Sequence, residues 1–527
     1  MTTLPAFGDR AARLHRDRLA IVDGDLRWSH RDLVLESRRL AAGLAAAGIG
    51  PGDRVAFWLP NSAAYLALFF AVARLGAVAV SVNTRFRAAD VGDILGRSRA
   101  KALIFWPGFR GIAFDEILAA VPAADLAALE TVILYGPELG NAALPGALGA
   151  VRVTSYGSLR EFDAALFDHA TADAGCVTFT TSGTTAAPKF VLHSQASIAR
   201  HAEDVARHFG FHEDRTVLLQ SLPFCGTFGL AQAMSCLAGG GVLVNMPVFD
   251  VERAVELMDR FEVTDLNATD DMTAALLDAA HEWSLARLRQ IGYAAFNPAL
   301  REIVTLGDMK GVPLVGLWGM SEVQALYSVQ RREAPAAMRA RAGGYPASPG
   351  ARVRVVDPET RAILPHGREG EIEAAGPSRM LGYVDDPAAT ARALTDDGYV
   401  RTGDLGYTEA DGGFVFLTRL GDSLRLGGFL VSPAEIEAHL ERHPAVAGAQ
   451  VVGVETGQGA RAVAFVVPRA GAGFDDGMLR EHCIAGLARY KVPMAFVALD
   501  SFPMTDSPNG RKVQRVKLRE IAAERFG

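Results

Sequence analysis

From Asp53 onward the chain alternates a short apolar run (Arg54 to Leu59), a helical spacing of apolar positions (Ala63 to Leu75) and a second apolar run (Ala77 to Val82). A strand, a crossover helix and a parallel strand produce this order of periods. Apolar runs recur at Ala102–Phe105, Thr131–Leu134 and Gly241–Val244, and Cys176–Phe179 reads as a further buried strand. The pattern predicts a layered α/β architecture with largely parallel sheets. Near Pro349-Gly350 it changes to short strands separated by turn residues, at Val353–Val356, Glu371–Ala374 and Gly413–Phe416. These predict a small β subdomain at about residues 345–420, closing an N-terminal domain of residues 1–420. Beyond Arg419-Leu420-Gly421-Asp422 come a helix signal (Ser432-Pro433-Ala434-Glu435-Ile436-Glu437) and two strands (Gln450–Gly453 and Ala462–Val467). Residues 421–527 therefore form a compact α+β C-terminal domain of about a hundred residues, a normal domain size. Gly421 stands where a hinge would be useful.

Composition narrows the function classes. With 527 residues, 50% hydrophobic and 21% charged, the chain is globular and long enough for two or more cores. A net charge of −7 and a pI near 6.0 give no overall attraction to nucleic acid or anionic membrane, so a polyanionic ligand needs a local cluster of donors. Cys176, Cys225, Cys236 and Cys483 are scattered without metal-ligand spacing, which suits reduced thiols in a cytoplasmic protein. Met1 to Arg18 lacks an apolar segment, so no secretory leader is expected, and the most apolar stretch, Tyr65 to Val82, is broken by Arg74 and Gly76, so no membrane span is expected. Oligomeric state is not encoded legibly, and a homo-oligomer stays open.

The local cluster is at residues 180–189: Thr180-Thr181-Ser182-Gly183-Thr184-Thr185-Ala186-Ala187-Pro188-Lys189. It follows the strand Cys176–Phe179, so successive N–H groups and hydroxyls can converge on anionic oxygens while Lys189 adds a point charge. It is not the common P-loop, where Gly-Lys runs directly into Ser or Thr, because Pro188 and Phe190 flank Lys189. A polyphosphate, ATP above all, fits this run. A polar surface loop is the plain alternative.

Five separated motifs in one order resemble the adenylate-forming superfamily, which includes acyl-CoA synthetases (AMP-dependent synthetases and ligases). They are Thr181 to Lys189; Trp318-Gly319-Met320-Ser321-Glu322; Tyr399-Val400-Arg401-Thr402-Gly403-Asp404; Arg419 with Gly427-Gly428 and Pro433-Ala434-Glu435-Ile436-Glu437; and Gly510-Arg511-Lys512-Val513-Gln514-Arg515. The resemblance implies an enzyme that joins a carboxylate to ATP with release of pyrophosphate and passes the acyl group to a thiol. By the same resemblance, Thr181, Ser182, Gly183, Thr184, Thr185 and Lys189 wrap the β and γ phosphates. Glu322 is associated with Mg²⁺, Ser321 donates to the α-phosphate, and Trp318 lies against the adenine face. Asp404 accepts from the ribose hydroxyls, with Arg419 reaching the same sugar. Lys512 brings a cation to the attacking carboxylate and the α-phosphate, and Gly427 and Gly428 line the pantetheine tunnel of CoA after the C-terminal domain has swung.

Departures from the family pattern concern the loop, the pivot and the acyl pocket. Ala186 and Phe190 replace glycines, and Gly421 replaces a charged residue at the pivot. Gly319 occupies the place where acetate-restricted relatives carry a tryptophan, implying a larger acid. Tyr293 narrows the pocket or offers a phenol, and Gly226 removes an aromatic gate. Asp270-Asp271 either faces substrate or caps a helix. The expected function is a carboxylic acid–CoA ligase using ATP, Mg²⁺ and CoA. Loading of a carrier protein and a weakly catalytic nucleotide-binding regulator are the alternatives.

Overall fold

Ala63–Arg74 is apolar on every side, and a helix of that kind must be covered all round. Ser62 caps it by accepting from the Tyr65 N–H at 3.1 Å, and all twelve of its residues are buried, ten of them in the largest core. In this computed structural model the description covers residues 2–136, 151–181, 189–212, 215–295, 300, 302–422, 424–426, 429–456, 459–487, 489–507 and 510–527. No described helix is long and apolar enough to cross a membrane.

Two large sheets organise the N-terminal part. The first has eight strands, with Gly175–Thr181, Val78–Ser81, Arg54–Trp58, Ala102–Phe105, Thr131–Leu134 and Arg152–Ser155 running parallel. At its other edge Lys189–Ser194 returns antiparallel to Gly175–Thr181, and Gly382–Tyr383 pairs with Lys189–Ser194. The second sheet has nine strands. Leu266–Thr269, Ile291–Ala294 and Leu314–Met320 are parallel, whereas Gln324–Val329, Gly343–Pro346, Phe414–Arg419, Val400–Thr408, Gly370–Ala375 and Arg352–Val356 continue as antiparallel neighbours. The strands expected as a small β subdomain share this sheet with the three parallel strands. Val400–Thr408, which carries Asp404, lies between two of the strands that the alternation predicted.

The C-terminal residues have their own cores. Val446–Thr456, Gly459–Pro468 and Ala495–Ala498 form a three-stranded sheet. The helices Pro433–Leu440 and Asp476–Gly486 bury Ile436, Leu440, Leu479 and Cys483 against one of its faces. Helix Arg515–Phe526 buries Leu518 and Ala522 on the other. A short hairpin, Met504–Ser507 with Gly510–Val513, places Lys512 opposite Thr505. Leu420–Asp422 is a single tight turn in which Gly421 is exposed and its carbonyl accepts from Arg519 Nη1 at 2.8 Å.

Candidate active site

The loop 182–188 leaves the carboxyl end of a parallel strand, where α/β sheets hold their ligands. Its stems are closed by the antiparallel pair Thr181 and Lys189. Ser182, Gly183, Thr184, Thr185 and Ala186 lie outside the described residues, as do Gly427 and Gly428; of Thr181 and Lys512 only the backbone is described. Lys189 is exposed, with its Nζ 4.6 Å from the centre of the Tyr383 ring. Phe190 points the other way, 3% exposed in the first sheet's core, with the Arg97 guanidinium 4.5 Å from its ring centre.

Ser321, Glu322 and Val323 make the tight turn between the antiparallel strands Leu314–Met320 and Gln324–Val329. That hairpin is unusually constrained: Gln324 (φ 66°) and Leu326 (φ 61°) are left-handed without being glycine, a strain that persists where surroundings over-determine it. Gln324 Nε2 donates to the carbonyls of Ser197 and Ser378, each at 3.2 Å. The Ser321 carbonyl accepts from His193 Nε2 at 2.7 Å, which makes the ring its Nε2–H tautomer, and burial lowers the His193 pKa to about 4, so the ring is neutral. Glu322 is held twice. Its carbonyl accepts from the Met380 N–H at 2.8 Å, and its Oε1 accepts from the Tyr383 hydroxyl at 2.8 Å.

Trp318 stands in the same hairpin. Its indole is 6% exposed, packs edge-on against Tyr327 and Phe414, and donates Nε1–H to Asp404 Oδ2 at 3.0 Å. Asp404 lies opposite Arg419 across paired strands, with Arg419 Nη1 2.9 Å from Oδ1. That contact lies outside hydrogen-bond geometry and leaves Oδ1 a buried acceptor without a hydrogen bond. Gly403 adopts φ 67° immediately before it, a turn that glycine makes without penalty. Burial pushes the Asp404 carboxyl up to about 6, opposed by the nearby charge of Arg419 and the Trp318 hydrogen bond.

The structure thus joins two groups from motifs far apart in sequence: Lys189, Tyr383 and Glu322, and Trp318, Asp404 and Arg419. They meet at the 318–322 hairpin. The negative charge of Glu322 also raises the Asp404 carboxyl.

The residues assigned to the acyl pocket are placed as follows. Gly226 precedes and caps helix Thr227–Gly239. That helix, through Thr227, Leu230 and Met234, lines a crevice with Ile198, His201 and Gln324 that is too tight to admit a water molecule. A Cβ on Gly319 would come within 2.6 Å of Ala325 Cα, so the hairpin itself requires glycine there. Tyr293 is buried in the second sheet's core and donates to the Ala340 carbonyl at 3.2 Å. Asp270 and Asp271 stand in the first turn of a helix capped by Thr269. Sequence reasoning missed His193 and Tyr383. Tyr383 lies in a two-residue strand with no flanking motif, and His193 reaches the hairpin through the Ser321 carbonyl rather than through a side chain.

Residues 8–384 match the sequence profile described as AMP-binding enzyme, and residues 435–508 match the AMP-binding enzyme C-terminal domain. The chain belongs to this adenylate-forming family. It is similar to a methyl-dioxo-octahydroindenyl propanoyl:CoA ligase of Rhodococcus jostii (strain RHA1), with 31% identity over 98% of each chain. It is also similar to 4-coumarate–CoA ligase 5 of Oryza sativa subsp. japonica, with 29% identity over 96% of this chain and 92% of that one. Among solved structures, ATP-bound MatB from Rhodopseudomonas palustris superposes with a TM-score of 0.84 at 25% identity, covering both chains completely. The fold class read from the pattern is the one found, and the protein is an AMP-forming acid–thiol ligase of the acyl-CoA synthetase type.

Proposed function

We propose that this ligase converts a carboxylic acid larger than acetate to its acyl-adenylate and then to its CoA thioester, with residues 1–420 holding ATP and acid and residues 421–527 moving between the two steps. A carboxylate oxygen attacks the α-phosphorus, the bond from that phosphorus to the bridging oxygen breaks, and pyrophosphate leaves. The sulfur of CoA, having lost its proton, then attacks the acyl carbonyl and AMP departs. The barrier in the first step is repulsion between a carboxylate and a triphosphate, so positive groups must be ready where charge develops.

The supporting observation is the linked placement of Lys189, Glu322, Trp318, Asp404 and Arg419 around one hairpin. In this reading the loop from Thr181 through Ser182, Gly183, Thr184 and Thr185 to Lys189 holds the β and γ phosphates, and Ser321 donates to the α-phosphate. Asp404 offers the ribose diol a carboxylate, which has acceptor oxygens and no donor. Its unbonded Oδ1 is the kind of buried acceptor that a hydroxyl would satisfy. Arg419 keeps it ionised, and Trp318 closes the adenine side. Glu322 suits magnesium: among the described residues no three His, Cys, Asp or Glu side chains gather to hold a metal, and Mg²⁺ commonly takes one or two carboxylates with phosphate and water oxygens. Bound there, the ion would neutralise charge on the triphosphate. Lys512 orients the attacking carboxylate against the α-phosphate, after which its domain turns to bring Gly427 and Gly428 to the pantetheine arm. By the family resemblance, Gly319, Gly226 and Tyr293 border the acyl group.

Pyrophosphate release with a panel of carboxylic acids, with and without CoA, tests this reading. Release with CoA thioester formation supports it. Release without thioester points to a carrier protein as acceptor, and ATP binding with no release to any acid makes the protein a regulator.

A further inference from the structure

We infer that Tyr383 is a positioning residue that aims the Glu322 carboxylate at the metal-bound triphosphate and couples it to Lys189 of the phosphate loop. The inference rests on the proposed function, because it takes Glu322 as the magnesium carboxylate.

Two jobs at Tyr383 separate cleanly. Holding the segment in place is done by backbone. Leu381 N–H donates to the Leu192 carbonyl at 2.8 Å, Val384 N–H to that of Phe190 at 2.9 Å, and Tyr383 N–H to Thr390 Oγ1 at 2.9 Å. None of these needs a phenol. The hydroxyl instead donates to Glu322 Oε1 at 2.8 Å, and the face of the same ring receives Lys189 Nζ at 4.6 Å. One rigid side chain therefore touches the carboxylate on the 321–323 turn and the lysine at the stem of the loop. A carboxylate oxygen that accepts one phenol still has lone pairs for a cation, and a neutral donor restrains its rotation without cancelling its charge. The ammonium over the ring face adds a cation–π attraction that biases one long side chain toward the loop.

The test uses calorimetric binding with no carboxylic acid present, so that nothing turns over. Tyr383→Phe keeps the ring, the lysine contact and the backbone bonds, and removes one hydroxyl. Losing a hydrogen bond to a charged group predicts Mg·ATP binding roughly tenfold weaker and a higher magnesium half-saturation, with metal-free AMP binding unchanged within about twofold. Tyr383→Leu also removes the ring beneath Lys189 and weakens metal-free ATP as well. Placed in a Glu322→Gln background, Tyr383→Phe costs nothing further, because the two residues act through one contact. The inference is overturned if Tyr383→Phe binds Mg·ATP as wild type does, if it weakens AMP and Mg·ATP equally, or if its loss persists in full beside Glu322→Gln. A wild-type protein that binds neither Mg·ATP nor AMP overturns the proposed function, and this inference with it. Normal wild-type binding with an indifferent Tyr383→Phe removes the inference alone.

Discussion

Asp404 combines burial with a charged neighbour, and the balance sets a pH dependence. Its carboxyl is pushed up to about 6, against about 4 for an exposed aspartate. A raised carboxyl pKa means that the folded chain binds this proton more tightly than the unfolded chain between those two values. The residue's contribution to stability is therefore most favourable at low pH and declines as pH rises through that window. Function runs the opposite way, because only the ionised form accepts two hydroxyls. Nucleotide affinity should be flat above about pH 7 and fall on the order of tenfold per unit once the pH drops below about 6. Calorimetric titration of AMP across that range reads it directly. Trp318→Phe removes the indole donor that stabilises the ionised form while keeping an aromatic body. The midpoint of the affinity profile should then move to higher pH, with weaker binding at pH 6 and little change at pH 8. A midpoint that stays put would mean that Arg419 alone holds the charge.

At the scale of elements, Phe190 replaces a glycine that the family favours beside the phosphate-loop lysine. The strand Lys189–Ser194 alternates faces, so that position is buried while Lys189 stays exposed, and the ring fills the core under Arg97. Phe190→Gly should destabilise the protein by at least about 3 kcal/mol, comparable to emptying other buried phenylalanine sites. Urea unfolding would read the loss as a lower midpoint with an unchanged slope. Continuous apolar runs made the strands around Val55, Val80 and Leu103 and the helix Ala63–Arg74 legible, because those elements are buried on every side. The two-residue strand Gly382–Tyr383 and the pairing of Phe414–Arg419 with Gly343–Pro346 were not legible. Each is decided by a partner distant in sequence, and so short a strand has no period of its own. The same reason hid Tyr383 and His193 from the candidate site while Glu322 and Asp404, which sit in local motifs, stood out.

For the whole molecule, the proposed first step needs a cation carried by residues outside the sheets that hold Asp404 and Glu322. Lys512 is in a short hairpin of the C-terminal part, whose cores, centred on Ile436 and Leu479 and on Leu518, are separate from those of the sheets that hold Asp404 and Glu322. The chain passes between the two parts through the exposed turn at Gly421, where an added Cβ would meet no atom within 4 Å and the carbonyl accepts from Arg519 of the last helix. If adenylation and thioester formation use different orientations of residues 421–527, a group needed only in the first should be dispensable in the second. Lys512→Ala should then abolish pyrophosphate release with acid and ATP, a loss of two or more orders of magnitude for a preorganised charge at the developing transition state. Its rate of thioester formation from added acyl-adenylate and CoA should stay within severalfold of wild type. Both half-reactions can be followed on one preparation, pyrophosphate by coupled assay and thioester by its ultraviolet absorbance. Equal loss in the two would place Lys512 in the scaffold of the C-terminal domain and leave the first step without its cation.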